Sequence, residues 1–150
     1  MDLFIRLDIN LFAALILLIL LFNGKVSTGM STKTNLIFSR LTVLVLILTL
    51  SEIVSFAVDL QPGGMMPTLN YLSNLMLYLL APFAISLWAE YVEHYLLRDV
   101  PDLKARRMIR AVPILVILVL VLTNPANGYL FKILPGNVYE RGPLFIHQIL

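Results

Sequence analysis

Long apolar runs alternate with short polar breaks along the whole chain. Residues 11–22 (LFAALILLILLF) are uninterrupted apolar, and with the stretch from residue 3 they reach the roughly 20 residues that a bilayer requires. Similar runs at 41–60, 70–92 and 111–129 predict three further spans. A fifth run, 144–150, amounts to about 10 Å of helix, too short for a hydrocarbon core of about 30 Å. The pattern therefore predicts an all-α integral membrane protein. It is a polytopic bundle of four complete transmembrane helices plus a truncated fifth, one domain over 1–150, with the fifth helix expected to continue in a longer parent chain.

Composition strengthens this reading. Hydrophobic residues make up 59% of the chain and charged residues only 13%, against about a quarter in soluble domains. A net charge of +2 provides no field that would favour nucleic acid. Cysteine is absent, which removes disulfides, thiolate metal sites and thiol nucleophiles. The first run does not read as a cleaved signal peptide. Arg6 is flanked by Asp2 and Asp8, and NGKVSTG offers no convincing cleavage site, so a retained helix fits better.

Basic residues set the expected orientation. Lys25, Lys33, Arg40, Arg98, Lys104, Arg106, Arg107 and Arg110 fall on one side, and Arg6, Lys132 and Arg141 on the other. Eight against three places the amino terminus outside and the larger set in the cytoplasm. Gln61-Pro62-Gly63-Gly64 breaks the second helix, and so short a turn makes helices two and three antiparallel neighbours. In the inner loop RDVPDLKARRMIR, Pro101 suits a first helical position. The basic run after it either lies against anionic headgroups or only fixes topology. Trp88, Tyr91 and Tyr95 fit an inner aromatic belt.

Candidate chemistry lies in the polar residues of the spans. Glu52, Ser55 and Asp59 are spaced i, i+3, i+7 and share one face of helix two. Glu52, near mid-span, is costly to insert and should face the bundle interior, a partner or water. It reads either as a ligand-binding or proton-sensing carboxylate or as a structural hydrogen bonder, and for Asp59, near the outer interface, the structural role is favoured. Asn70, Asn74 and Tyr78 form a stripe on helix three that antiparallel packing brings to the depth of Asp59 and Ser55. A small polar pocket open to the outside follows, with ordinary interhelical hydrogen bonding as the alternative for any single Asn. Pro82 is a candidate hinge in helix three. Arg141 suits either an anionic or peptide ligand or a lock of the last loop onto Asp59, because its planar fork pairs with carboxylates; snorkelling to headgroups is the plainer role. His94 and His147 are isolated, and P-loop, zincin and nucleophile-elbow motifs are absent. No catalytic residue, metal or cofactor is expected.

Several marks recur together: LDIN at Leu7–Asn10, D-x-x-P-G at Asp59–Gly63, Asn70 and Asn74, then Pro82, Trp88, Tyr91 and Tyr95, Pro113 opening helix four, and GYLFKI before NVYERGPLF. In this order they resemble the multi-helix N-terminal membrane region of bacterial GGDEF-type diguanylate cyclases. The resemblance implies a sensing and anchoring module in the bacterial cytoplasmic membrane. It would respond to a small ligand or physical cue, act as a homodimer, and sit ahead of an output domain that makes cyclic di-GMP. No G-G-D-E-F sequence occurs in these residues, so the chain as given is not expected to be an enzyme. The competing class is a small proton-coupled transporter using Glu52, against which the lack of an internal repeat counts. A non-sensing accessory or anchor protein is the third.

Overall fold

A computed structural model describes residues 2–23, 32–96 and 103–146. Four long helices follow one another: α1 (Asp2–Asn23), α2 (Thr32–Val58), α3 (Met66–Leu96) and α4 (Leu103–Asn127). Two short strands, β1 (Phe131–Leu134) and β2 (Val138–Arg141), and a single turn, α5 (Pro143–Ile146), complete the described chain. The α2–α3 connection is the expected tight break, and α2 packs chiefly against α3, with α1 against α2 and α4 against α3.

The interior is more polar than the exterior. Among the described residues, the buried polar set includes Thr34, Thr42, Ser55, Asn70, Ser73, Asn74, Asn124 and Asn137, whereas Ile9, Phe12, Ile85, Val119 and Leu122 are exposed. That inversion is stable only in an apolar solvent, where buried polar groups bond to one another and hydrocarbon faces lipid. Thr42 and Thr49 bond back to their own helix, to the Phe38 and Val45 carbonyls, both at 2.9 Å. The chain is a helical membrane protein.

Four features depart from the sequence reading. Among the described residues, three helices are long and apolar enough to cross a membrane, Lys33–Val58, Met66–Glu93 and Met108–Asn127, so a count of four complete spans is not supported. The described apolar part of α1, Leu7–Asn23, is shorter. The fifth helix is a four-residue turn, Pro143–Ile146, and the rest of that run lies outside the described residues. Helix α4 starts at Leu103 rather than 111, so Pro113 sits inside it instead of opening it. Apolar surroundings and neighbouring helices tolerate such a proline. Pro101 lies outside the described residues.

The fourth departure is the hairpin, which makes the protein not purely helical. Strands β1 and β2 pair antiparallel, with Phe131 opposite Arg141 and Ile133 opposite Tyr139. Leu134-Pro135-Gly136-Asn137 turns the chain. Proline presets the second position, Gly136 takes φ +86° in the third, and the Asn137 amide donates to the Leu134 carbonyl at 3.1 Å. An isolated two-stranded hairpin is marginal in water, so this one depends on what it is fastened to.

Candidate functional site

Alternation along the strands gives the hairpin two unlike faces. Lys132 and Glu140 stand opposite each other on one face, while Phe131, Ile133, Tyr139 and Arg141 share the other. The second face meets α3 and α4. Phe131 is 1% exposed, and its burial contributes roughly 2–3 kcal/mol. Its ring stacks on Tyr78 (5.4 Å, 6°) and packs against Tyr71 (5.1 Å) and Tyr139 (5.9 Å). Asn124, 2% exposed at the end of α4, anchors the strand that carries Phe131. Its Oδ1 accepts from the Leu130 amide at 2.9 Å, and its Nδ2 donates to the Phe131 carbonyl at 3.1 Å.

The hairpin tip is fastened to the α2–α3 turn by asparagines. Asn137 is 3% exposed and occupies the left-handed region at φ +60°, which Asn tolerates better than most residues. Its Nδ2 donates to the Val58 and Gln61 carbonyls, the second at 3.2 Å. Val58 ends α2 and Gln61 follows it in the turn, where the Val58 carbonyl also accepts from the Gln61 amide at 3.1 Å. The Asn137 carbonyl accepts from the Leu60 amide at 2.9 Å, holding Leu60 at φ +63°, a position where glycine is usual. Asn70, fully buried, shares its two amide hydrogens among Asp59 Oδ1 (3.1 Å), Asn137 Oδ1 (3.1 Å) and the longer Asn137 carbonyl contact (3.3 Å). Asp59 Oδ1 also accepts from the Tyr139 amide at 2.9 Å. One turn deeper, Asn74 Nδ2 reaches Ser55 Oγ at 2.7 Å and the Asn70 carbonyl at 2.8 Å.

Five of the residues singled out in the sequence thus lie together: Ser55, Asp59, Asn70, Asn74 and Tyr78. The expected pairing of depths is observed, Asp59 with Asn70 and Ser55 with Asn74. The last loop is joined to Asp59 by the Tyr139 backbone amide, a bond separate from the lock expected of the Arg141 side chain. Glu52 stands apart. It is half-buried, makes no hydrogen bond or ion pair among the described residues, and does not line the cavity below. Asn124 had no place in the sequence argument, and Phe131, Asn137 and Tyr139 appeared there only within GYLFKI and NVYERGPLF. An Asn directly before Pro125, and Pro-Gly-Asn between two short β-prone runs, were the available signals.

Beneath the hairpin lies a cavity of about 570 Å³ between α3 and α4. Its outer end carries Asn74, Tyr78, Tyr139 and Arg141, and its deeper walls are apolar, with Pro82 and Pro113 facing it. Helix α3 runs unbroken through Pro82, whose ring denies the Tyr78 carbonyl its helical donor. At the far ends of the same two helices, Arg110 pairs with Glu93 at 2.9 Å, with side chains only 15% and 18% exposed. Tyr91 stacks on Tyr95 and touches Phe38 near this end. Comparison with family models, curated proteins and solved structures yields no match to this chain.

Proposed function

We propose that this chain is a membrane-embedded sensory and anchoring module of the bacterial cytoplasmic membrane. It passes a signal to a cytoplasmic output domain, a diguanylate cyclase that makes cyclic di-GMP. The observation that carries the sensory reading is the manner of closure. A ligand-sized cavity is roofed by a hairpin held by an aromatic plug and a handful of polar bonds. Small-molecule sites are commonly cavities of about 300–1,000 Å³, mostly apolar with a few convergent polar groups, and this one fits that description.

Such a roof supplies two packings a few kcal/mol apart, and a ligand biases them by its differential affinity. Contact with Tyr139 or Arg141 acts on the strand that bonds Asp59, and through it on the α2–α3 turn. The same cavity touches α3 and α4 at Pro82 and Pro113, so a change of roof alters the fit of these helices. Their inner ends are joined at Glu93–Arg110, where an output domain would read the change. Pro82 serves as the hinge in this scheme. The cyclase assignment and the expected homodimer rest on the resemblance described above.

The test is the gene beyond the Leu150 codon. A continuing frame that completes a further helix and enters a GGDEF-type domain is expected. A stop codon there contradicts the assignment and leaves a stand-alone membrane protein.

A further inference from the structure

The two ends of the α2–α3 pair are held by different means. At the hairpin end, Asn70 and Asn74 bond Asp59 and Ser55 across the helices. Towards the other end these polar bonds give way to apolar contacts such as that of the Phe38 and Tyr91 rings, 5.8 Å apart. Here an open groove of about 490 Å³ runs between the helices, walled by Val43 and Ile47 of α2 and by Leu80, Phe83 and Leu87 of α3, with Arg40 at its end.

The groove faces the bilayer. Val43, Ile47 and Phe83 are exposed, as are Leu36 and Leu50 on the same side of α2. Arg40 shares this side, and Lys33 stands one heptad before it; both are exposed. From Arg40 to the end of α2 at Val58 is about 27 Å of helix, close to the thickness of a hydrocarbon core. With the α2–α3 turn at one interface, Arg40 therefore stands at headgroup level in the opposite leaflet. Arg40 and Lys33 make no hydrogen bond or ion pair among the described residues. Of the two acids of α3, Glu93 is paired with Arg110 at 2.9 Å and Glu90 is also engaged.

We propose that this groove is a site for one anionic phospholipid, with its phosphate at Arg40 and Lys33 and an acyl chain between α2 and α3. In the orientation expected from the basic residues, the lipid belongs to the cytoplasmic leaflet. The groove itself does not choose between lipids, because any acyl chain can lie in it; the two cations do. A zwitterionic head brings its own cation beside the phosphate, which Arg40 and Lys33 repel, and an anionic head does not. One basic side chain near a headgroup favours the anionic lipid by about fivefold. A lipid so placed ties α2 to α3 at the end that lacks their polar bonds. The site is separate from the cavity under the hairpin and independent of the sensory reading.

The test uses the purified chain in nanodiscs of phosphatidylcholine and phosphatidylglycerol, in equal amounts and with identical acyl chains. Native mass spectrometry after release counts the lipids that each chain retains. One retained phosphatidylglycerol per chain is expected, favoured over phosphatidylcholine by about fivefold or more. Arg40→Gln should remove most of that preference, Arg40→Lys should keep it, and Lys33→Gln should diminish it. Lys132→Gln, which removes the same charge at the hairpin end, should leave it unchanged. Val43→Trp, which fills the groove, should lower retention of both lipids. Wild-type amide exchange at Leu60 and Tyr139 in these variants would show that each is folded.

Equal retention of the two lipids by the wild type, or a preference that survives Arg40→Gln, overturns the proposal. So does an equal loss in Lys132→Gln, which would assign the preference to net charge, and so does full retention in Val43→Trp, which would place the lipid outside the groove. None of these results touches the sensory reading, whose own test is the downstream frame.

Discussion

Replacing Asn137 with Ala should release the hairpin tip from the α2–α3 turn while leaving the helices in place. The side chain donates to the Val58 and Gln61 carbonyls and accepts from Asn70. Each such bond contributes about 0.5–1.5 kcal/mol net. An alanine at φ +60° adds part of the roughly 1–2 kcal/mol that left-handed backbone costs an ordinary residue. Asn70 retains Asp59 and the Asn137 carbonyl as acceptors, which limits the damage. The total is about 3 kcal/mol, or on the order of 100-fold in the opening equilibrium. Amide hydrogen exchange in nanodiscs reads this locally. The Leu60 and Tyr139 amides, which donate to Asn137 O and Asp59 Oδ1, should lose about two orders of magnitude of protection, with mid-helix amides of α2 and α3 unchanged. Asn137→Gly, which keeps the backbone relaxed, should lose less. Unchanged protection at both amides in Asn137→Ala would refute the polar clamp, and equal loss throughout α2 and α3 would show that the tip is not a separable element.

Three other substitutions probe the same framework. Gly142→Ala places a Cβ 2.1 Å from the Tyr129 carbonyl oxygen, so the backbone must shift; a loss of about 1–3 kcal/mol in thermal or denaturant midpoint is expected, against none for Gly64→Ala, which meets open space. Tyr71→Phe should be neutral or stabilise by about 1 kcal/mol, since the buried Tyr71 hydroxyl has no hydrogen-bond partner among the described residues; a clear loss of stability would reveal one. For the inner clasp, Glu93→Gln and Arg110→Gln should each destabilise by about 1 kcal/mol and together by less than their sum, because the pair is partly screened; additive losses in a double-mutant cycle would show that the ion pair contributes nothing.

The polar stripes were legible because the background is so apolar. Against Leu, Ile and Val, residues such as Ser55, Asp59, Asn70 and Asn74 stand out. The short Gln61–Gly64 break then fixes their antiparallel register, so Asp59 had to meet Asn70 and Ser55 had to meet Asn74. The hairpin was not legible in the same way. Its strands are four residues each, too short to display a period, and Phe131 and Tyr139 acquire their meaning only by packing on α3. Asn124 hides at the end of an apolar helix, where its amide works for the following strand. The basic run near Arg110 forms the first turns of α4, where Arg110 pairs with Glu93, and Glu52, open to a sensing or a structural role by its depth, makes no hydrogen bond or ion pair among the described residues. Hydropathy counted four spans because it credits every apolar run, whereas the described apolar part of α1, Leu7–Asn23, falls short of the other three.

The claim that the output domain reads the state of the hairpin clamp can be measured in cells. Cyclic di-GMP would be quantified at matched protein abundance after expressing the complete reading frame with wild-type Asn137 or with Asn137→Ala. The account predicts a level that departs at least threefold from wild type, because a clamp worth about 3 kcal/mol moves a two-state population by far more than that. A level equal to wild type would mean that the hairpin and the output are uncoupled, and would contradict the account.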